Sequence, residues 1–379
     1  MNIGVIGLGY GDEGKGLVVD ALAMRHQDAL VTRFSGGPQA AHTVYDEEYG
    51  YHVFSSFGAG TFRGLPTYLT KHVLVNPILM ANELKVLIEK GLTPEILVNS
   101  KCPIITPFDI YSNQLNVENK QHGTCGHGIY KTINREKEHY HILAEDLYCK
   151  TALKIKVELL INHYRYLIDT TEFFEAVDFL INYEFFKVVE TDFVPYLGDV
   201  IFEGSQGLLL DPEIGFFPHC TPSRLDLTNI LEVIDNGELD MVYLVTRAYH
   251  TRHGNGPLST EGLNHNIKDN PYETNVSNQF QGDFRKGLLD LDLVQYAKDK
   301  SNVKYANNLT LVITHMDLVQ NELRLIYKQK VEAFTNEIDF IKFISKALQI
   351  DNVLISKSPY SKDLKEYILI DGKTLEECQ

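Results

Sequence analysis

The feature that most constrains this chain lies at its start. The apolar run Ile3-Gly4-Val5-Ile6 leads through Gly9-Tyr10-Gly11-Asp12-Glu13-Gly14-Lys15-Gly16 into a helical pattern over residues 14–24. A strand, a glycine turn and a helix in that order aim successive backbone amides and a helix N-terminus at one point, which attracts an anion. Glycines permit the backbone angles such a turn needs. The spacing matches G-x-x-x-x-G-K-[S/T] from Gly9 to Lys15, the pattern of a loop that cradles nucleotide phosphates. Gly16 stands where the magnesium-binding hydroxyl is usual, so a metal there needs another ligand, and Asp12 is the candidate. Two acids beside bound phosphates repel them unless a cation or a proton-transfer role compensates. Read alone, Asp12 also fits a solvated loop acid.

Short apolar runs recur at Ala29-Leu30-Val31, Ile96-Leu97-Val98, Val200-Ile201-Phe202, residues 241–245, residues 309–313 and Val353-Leu354-Ile355. Continuous apolar runs of this length are what strands buried on both faces require. Helical patterns separate them at 78–90, 151–168, 171–189, 289–298 and 331–348, the first opened by Asn76-Pro77 and closed by Gly91. The alternation predicts an α/β fold, a P-loop-containing and mostly parallel central sheet flanked by helices. With no repeat, low-complexity tract or long linker, residues 1–379 read as one domain with a helical insertion near 145–190.

The net charge of −16 argues against nucleic acid or a membrane surface as partner, since both are polyanionic. Phosphates must then be held locally, by amides and a few cations. The five cysteines are scattered and never form a CxxC pair, which predicts reduced thiols and a cytoplasmic setting. The strand at residue 3 leaves no room for a signal peptide, and no stretch reaches transmembrane length.

Further blocks carry a resemblance. Arg33-Phe34-Ser35-Gly36-Gly37-Pro38-Gln39-Ala40-Ala41-His42-Thr43 follows the glycine loop. Gly123-Thr124-Cys125-Gly126-His127-Gly128, Phe202-Glu203-Gly204-Ser205-Gln206-Gly207 with Thr221, Arg247-Ala248-Tyr249-His250-Thr251-Arg252, Gly287-Leu288-Leu289-Asp290, Thr314-His315-Met316-Asp317 and Ser356-Lys357-Ser358-Pro359 come in order. Together they resemble the adenylosuccinate synthetase family over nearly the whole chain. The resemblance implies a GTP-dependent ligase that phosphorylates the 6-oxo group of a purine nucleotide, IMP or a relative, and displaces the phosphate with an amino acid. It implies Asp12 as base and, with Ala41, as Mg2+ ligand, His42 as stabiliser of the moving phosphoryl group, and Lys15 on the phosphates. These roles are chemically apt, because a purine amide oxygen is a poor nucleophile until N1 loses its proton.

By the same resemblance Gly11, Glu13, Gly14, Gly16, Thr43, Asp317, Ser356, Ser358 and Pro359 hold GTP. Gln39, Thr124, Cys125, Gln206 and Thr221 hold the acceptor nucleotide, although Gln206 and Thr221 fit equally well as satisfiers of local backbone. Arg285 and Lys286 are the cations at the amine-donor loop, and small-molecule nucleotides and a homodimer are the expected partners. Arg135 is the nearest match to an arginine that crosses between subunits, and on its own pattern it reads as a solvated helix residue.

The stretch 275–286 departs from the family's arginine-rich V-T-T-G-R-R-R, retaining only Arg285 and Lys286 as cations, so L-aspartate and an altered amine donor both stay open. Cys125 and His127 replace the threonine and arginine of the acceptor loop, and His315 replaces a lysine beside Asp317. The alternatives are a phage-type relative that aminates deoxyguanylate, in which the loop aspartate is typically replaced, a GTP-binding regulatory homologue without ligase chemistry, and a kinase that stops after phosphoryl transfer.

Overall fold

The computed structural model describes residues 1–115, 126–190, 198–235, 237–273, 282–370 and 373–376. Its centre is an 11-stranded sheet. Numbered along the chain, the strands lie in the order β17 (Lys373–Glu376), β16 (Lys365–Ile370), β15 (Asn352–Ile355), β12 (Leu309–Thr314), β9 (Met241–Arg247), β1 (Asn2–Gly7), β8 (Val200–Gly207), β2 (Leu30–Arg33), β5 (Thr67–Leu69), β6 (Ile96–Asn99) and β7 (Phe186–Val189). From β15 to β7 every pairing is parallel, and β16 and β17 add an antiparallel edge.

The apolar runs occupy this sheet because helices cover it. Val5, Val31, Ile201, Val245 and Val312 sit in one buried cluster with Val18 and Leu22 of helix α1 (Lys15–Arg25). Ile6, Phe202, Leu244 and Ile313 sit in a second cluster with Phe340 and Ile344 of the C-terminal helix Glu337–Leu348. The chain direction then decides where function can lie. The C-terminal ends of β1, β8, β9, β12 and β15 lead into Gly9, Gln206, Arg247, Thr314 and Ser356, and in open parallel sheets ligands bind at those ends.

Two smaller sheets close the same side. One has the order β10 (Tyr249–His253), β11 (Phe284–Asp290), β13 (Leu323–Tyr327), β14 (Lys330–Phe334); the other is the hairpin β3 (His42–Asp46) with β4 (Gly50–Phe54).

The helix read over 151–168 ends at Tyr164 and that read over 289–298 begins at Leu291 after strand β11, and two others differ more. The helix read over 171–189 stops at Ile181, and Phe186–Val189 becomes the edge strand β7, alternating between buried Phe186 and exposed Lys187. The helix read over 331–348 begins only at Glu337, where Asn336 caps it by accepting from the Asp339 amide at 2.8 Å. Lys330–Phe334 instead pairs with β13. No helix among the described residues is long and apolar enough to cross a membrane.

Candidate active site

The glycine loop adopts the anion-cradling geometry through three left-handed residues, Gly11 (φ 95°), Asp12 (φ 61°) and Gly14 (φ 91°). Glu13 braces it from within. Its Oε1 accepts from the amides of Gly9 at 3.1 Å and Gly11 at 2.8 Å, and its Oε2 meets Lys15 Nζ at 2.6 Å. Burial disfavours the Glu13 charge, but Lys15 and those amides outweigh it and hold the carboxyl below its ordinary range. Expected among the GTP contacts, the Glu13 side chain is thus taken up by the loop itself. Gly207 is glycine for the same reason, since a Cβ there would fall 2.1 Å from Glu13 Oε1.

Arg247 fixes the other half of the loop. Its Nε donates to the Asp12 carbonyl, and its two terminal nitrogens reach the Tyr249 hydroxyl and Glu273 Oε2, each at 3.2 Å. Burial pushes the Asp12 carboxyl above its ordinary value, Arg247 opposes that, and Glu273 and Glu13 reinforce it. A carboxylate made more basic by its surroundings suits proton abstraction.

Hairpin β3–β4 delivers His42 to the same loop. Its Nδ1 lies 2.5 Å from Glu203 Oε1, and its Nε2 lies 3.2 Å from the Ser205 carbonyl, which can only accept. Glu203 is 1% exposed and also accepts from the Ala59 amide at 3.1 Å. Burial opposes its charge, yet His42 and Arg33 hold the carboxyl below its ordinary range. This close approach explains Gly16. A Cβ at that position would sit 2.8 Å from His42 Cβ, so the hydroxyl of the usual loop is excluded by the hairpin that brings the histidine.

These groups line one cleft of about 220 Å³. Of the expected residues it gathers Gly11, Asp12, Glu13, Gly14, Lys15, Gly16, Gln39, Ala41, His42, Thr43, Gln206, Asp317, Ser356, Ser358 and Pro359. Gln39 and Gln206 contribute buried Oε1 atoms that have no hydrogen-bond partner among the described residues. At the far end Ser356 Oγ donates to the Ser358 carbonyl at 2.7 Å and the Met316 amide donates to the Ser356 carbonyl at 3.2 Å, joining Asp317's turn to the Ser356–Pro359 loop. Burial, ahead of any other cause, raises the Asp317 carboxyl, and burial followed by Arg247 pushes His315 well below its ordinary value.

Other expected residues lie elsewhere. Thr221 does not line the cleft; its amide donates to the carbonyl of the wall residue Leu210 at 2.8 Å. Arg285 points to Glu261 at 2.7 Å and to the carbonyls of Gly254 and Gly256, and Lys286 points to Asp269 at 2.6 Å, so neither cation enters the cleft. Thr124 and Cys125 fall outside the described residues. His127 is described, and burial lowers its basicity, so it is a weak substitute for an arginine.

A family model for adenylosuccinate synthetase matches residues 4–332. The chain belongs to the adenylosuccinate synthetase family. Adenylosuccinate synthetase from Marinomonas sp. is 29% identical over 284 residues, 69% of this chain and 65% of that protein, so the match takes in slightly less than two thirds of the relative's length. Among solved structures, fully ligated adenylosuccinate synthetase from Plasmodium falciparum matches with a TM-score of 0.77 at 18% identity, covering 96% of this chain and 99% of that one. Succinoaminodeoxyadenylate synthetase of cyanophage S-2L, bound to dGMP and to dATP as an energy donor, matches with a TM-score of 0.60 at 15% identity over 96% of this chain and 94% of that one. At these identities the structural matches speak for the fold.

Within that family frame Arg135 needs correcting. Its side chain is buried, not solvated, with Nε 3.0 Å from Asp109 and a terminal nitrogen 2.7 Å from the Ile104 carbonyl, so its guanidinium is engaged within its own chain. Glu203, Arg247 and Glu273 are cleft-shaping residues that the sequence reading did not assign. The first two lie inside matched blocks, but their partners are 161 and 235 residues away, and no local pattern marks such a pair.

Proposed function

We propose that this protein is a GTP-dependent ligase that forms a C–N bond on the 6-position of a purine nucleotide. The observation that carries the reading is the convergence of Asp12, Lys15 and His42 on one cleft with the amide oxygens of Gln39 and Gln206, which have no partner among the described residues. Asp12 removes the N1 proton, so that the 6-oxygen becomes nucleophilic enough to attack the γ-phosphorus. Lys15, the loop amides and His42 stabilise negative charge on the transferring group, a type of contact worth roughly 10²–10³ in rate per donor. Glu203 holds the His42 ring by its Nδ1 and so fixes the direction in which Nε2 points. Gln39 and Gln206 accept from the acceptor nucleotide, and the Asp317 carboxylate accepts from guanine N1 and N2 donors beside Ser356, Ser358 and Pro359.

For Mg2+ the residues fit. This ion keeps several waters and phosphate oxygens and asks for one or two protein ligands. Asp12 and the Ala41 carbonyl, both in the cleft wall, would hold it. When bound it supplies charge neutralisation across the β- and γ-phosphates. Retained Asp12 favours this reading over the deoxyguanylate-aminating and non-catalytic alternatives.

The test is phosphate release by the purified protein with GTP, Mg2+, IMP or dGMP, and a panel of amines. Release that requires the acceptor nucleotide and disappears in Asp12→Asn supports the reading. Release that is unchanged by that substitution sinks the base assignment and the ligase with it.

A further inference from the structure

Resting on the ligase reading above, we infer that Arg33 is a positioning residue for phosphoryl transfer, whose guanidinium fork fixes where the β3–β4 hairpin carries His42. Arg33 is the last residue of β2 and does not itself line the cleft. It is 1% exposed, and a charge so buried persists only where it is paired and hydrogen-bonded.

One terminal nitrogen of Arg33 donates to the Ala40 carbonyl at 2.5 Å, and the other donates to the Ser55 carbonyl. Ala40 lies two residues before His42, and Ser55 directly follows Phe54; His42 and Phe54 are the first paired rung of the hairpin. The fork therefore bridges the two strands just outside that rung. Ser55 is held from its other side as well, since its amide and its hydroxyl donate to Glu83 at 3.1 and 2.6 Å. A planar guanidinium can span two carbonyls at once, whereas a lysine ammonium is a single point.

A second route runs from Arg33 to the same ring. Strands β2 and β8 pair in parallel with Arg33 directly opposite Glu203, which puts the two side chains on one face of the sheet. Glu203 lies 2.5 Å from His42 Nδ1 and also accepts from the Ala59 amide at 3.1 Å. Burial works against the Glu203 charge, and His42 and Arg33 offset it. Through Ala40 the arginine sets where the histidine sits, and through Glu203 it sets where the ring points. Clearance at the ring is small, because even a Cβ on Gly16 would fall 2.8 Å from His42 Cβ. A shift at the base of the hairpin thus carries the imidazole away from the transferring group, and misplacement by about 1 Å can cost on the order of 10²-fold in rate.

A double-mutant cycle on the full-length protein separates this role from scaffolding, with Arg33→Lys and Arg33→Gln each made alone and over His42→Ala. Phosphate release with GTP, Mg2+, IMP or dGMP and a panel of amines gives kcat and KM for GTP. A non-hydrolysable GTP analogue gives the melting shift of each protein. Arg33→Lys is expected to lower kcat roughly 10–100-fold while KM for GTP stays within about threefold and the analogue's shift is kept. Over His42→Ala the same substitution is expected to lower kcat by less than about twofold, because the ring it places is gone. Arg33→Gln, which gives up the charge beside Glu203 along with the fork, should lose at least as much as Arg33→Lys when His42 is present and as little when it is absent.

Equal losses in the two backgrounds overturn the inference and leave the ligase standing, as does a rise in KM for GTP with kcat unchanged. Loss of cooperative unfolding in both Arg33 variants also overturns it, since the residue is then needed for the fold itself. A parent protein that releases no phosphate, or a His42→Ala variant as fast as the parent, overturns the ligase reading and this inference together.

Discussion

Asp12, half-buried, and Glu203, fully buried, are carboxylates pushed in opposite directions, and their surroundings decide which. Asp12 carries a raised pKa, so ionising it costs the folded state more than the unfolded chain. That penalty begins above the unfolded value of about 3.9 and grows until the folded value is passed. Asp12→Asn, which also tolerates a φ of 61°, should therefore abolish phosphate release yet raise the melting temperature at pH 7. The gain should vanish near pH 3, where both forms of the position are neutral; a variant that melts lower at pH 7 would refute the burial account. For Glu203 the sign is reversed. Its folded pKa is lowered, so its stabilisation is present above about 4.3 and is lost as pH falls through the folded value. Glu203→Gln should flatten the acid limb of the stability profile and, by freeing the His42 ring, lower kcat roughly 10–100-fold with little change in KM for GTP. Gly16→Ser restores the hydroxyl of an ordinary phosphate loop but places its Cβ against His42. Overpacking of this kind costs about 1–3 kcal/mol, so urea unfolding should show that loss along with weaker turnover.

At the scale of elements, legibility in the sequence tracked burial. Strands β1, β8, β9 and β12 are largely buried on both faces, and the sequence announces them, β8 by its first three residues, as apolar runs. Strands β7 and β14 are half exposed or more, and β5 is three residues long, so none offers a run to read. The glycine loop was legible as a motif, whereas the hairpin that positions His42 was not, because its register with the loop is set by contacts distant in sequence. One such contact is Arg63. It forks onto Asp20 of α1 at 2.9 and 2.8 Å and onto Asp46 of β3 at 2.7 Å, while Ser361, just past the Ser356–Pro359 loop, donates to the same Asp20. Three walls of the cleft thus meet at one fully buried carboxylate. Arg63→Met would leave Asp20 with Ser361 alone, and removing one partner of a buried pair costs about 3–5 kcal/mol. The denaturation midpoint should fall accordingly and KM for GTP should rise, since the hairpin β3–β4 loses its tie to the helix that follows the phosphate loop. A fall in stability with unchanged KM would show that the network is scaffolding only.

Across the whole molecule, the cleft lies where the carboxyl ends of the parallel strands, the four-stranded side sheet and the hairpin come together, and its walls draw on both buried clusters. A ligand that spans it touches Gly14 and Lys15 at one end and Asp317 and Pro359 at the other, so it binds the native arrangement and not the unfolded chain. Binding of that kind stabilises by mass action, about 2.7 kcal/mol at a hundredfold excess over Kd. For a chain of 379 residues, an unfolding entropy near 2.1 cal/mol/K per residue converts this into a rise in melting temperature of roughly 3 °C. A non-hydrolysable GTP analogue with Mg2+ should give a shift of that order, and Lys15→Gln should remove it. That variant also takes away the partner of buried Glu13, so its ligand-free melting temperature should drop; comparing shifts within each protein separates the two effects. An acceptor nucleotide should add its own shift, because Gln39 and Gln206 hold acceptor atoms that the described residues leave unsatisfied. If the GTP analogue moved neither protein, the cleft would not be a triphosphate site, and every role assigned around Asp12 would have to be abandoned.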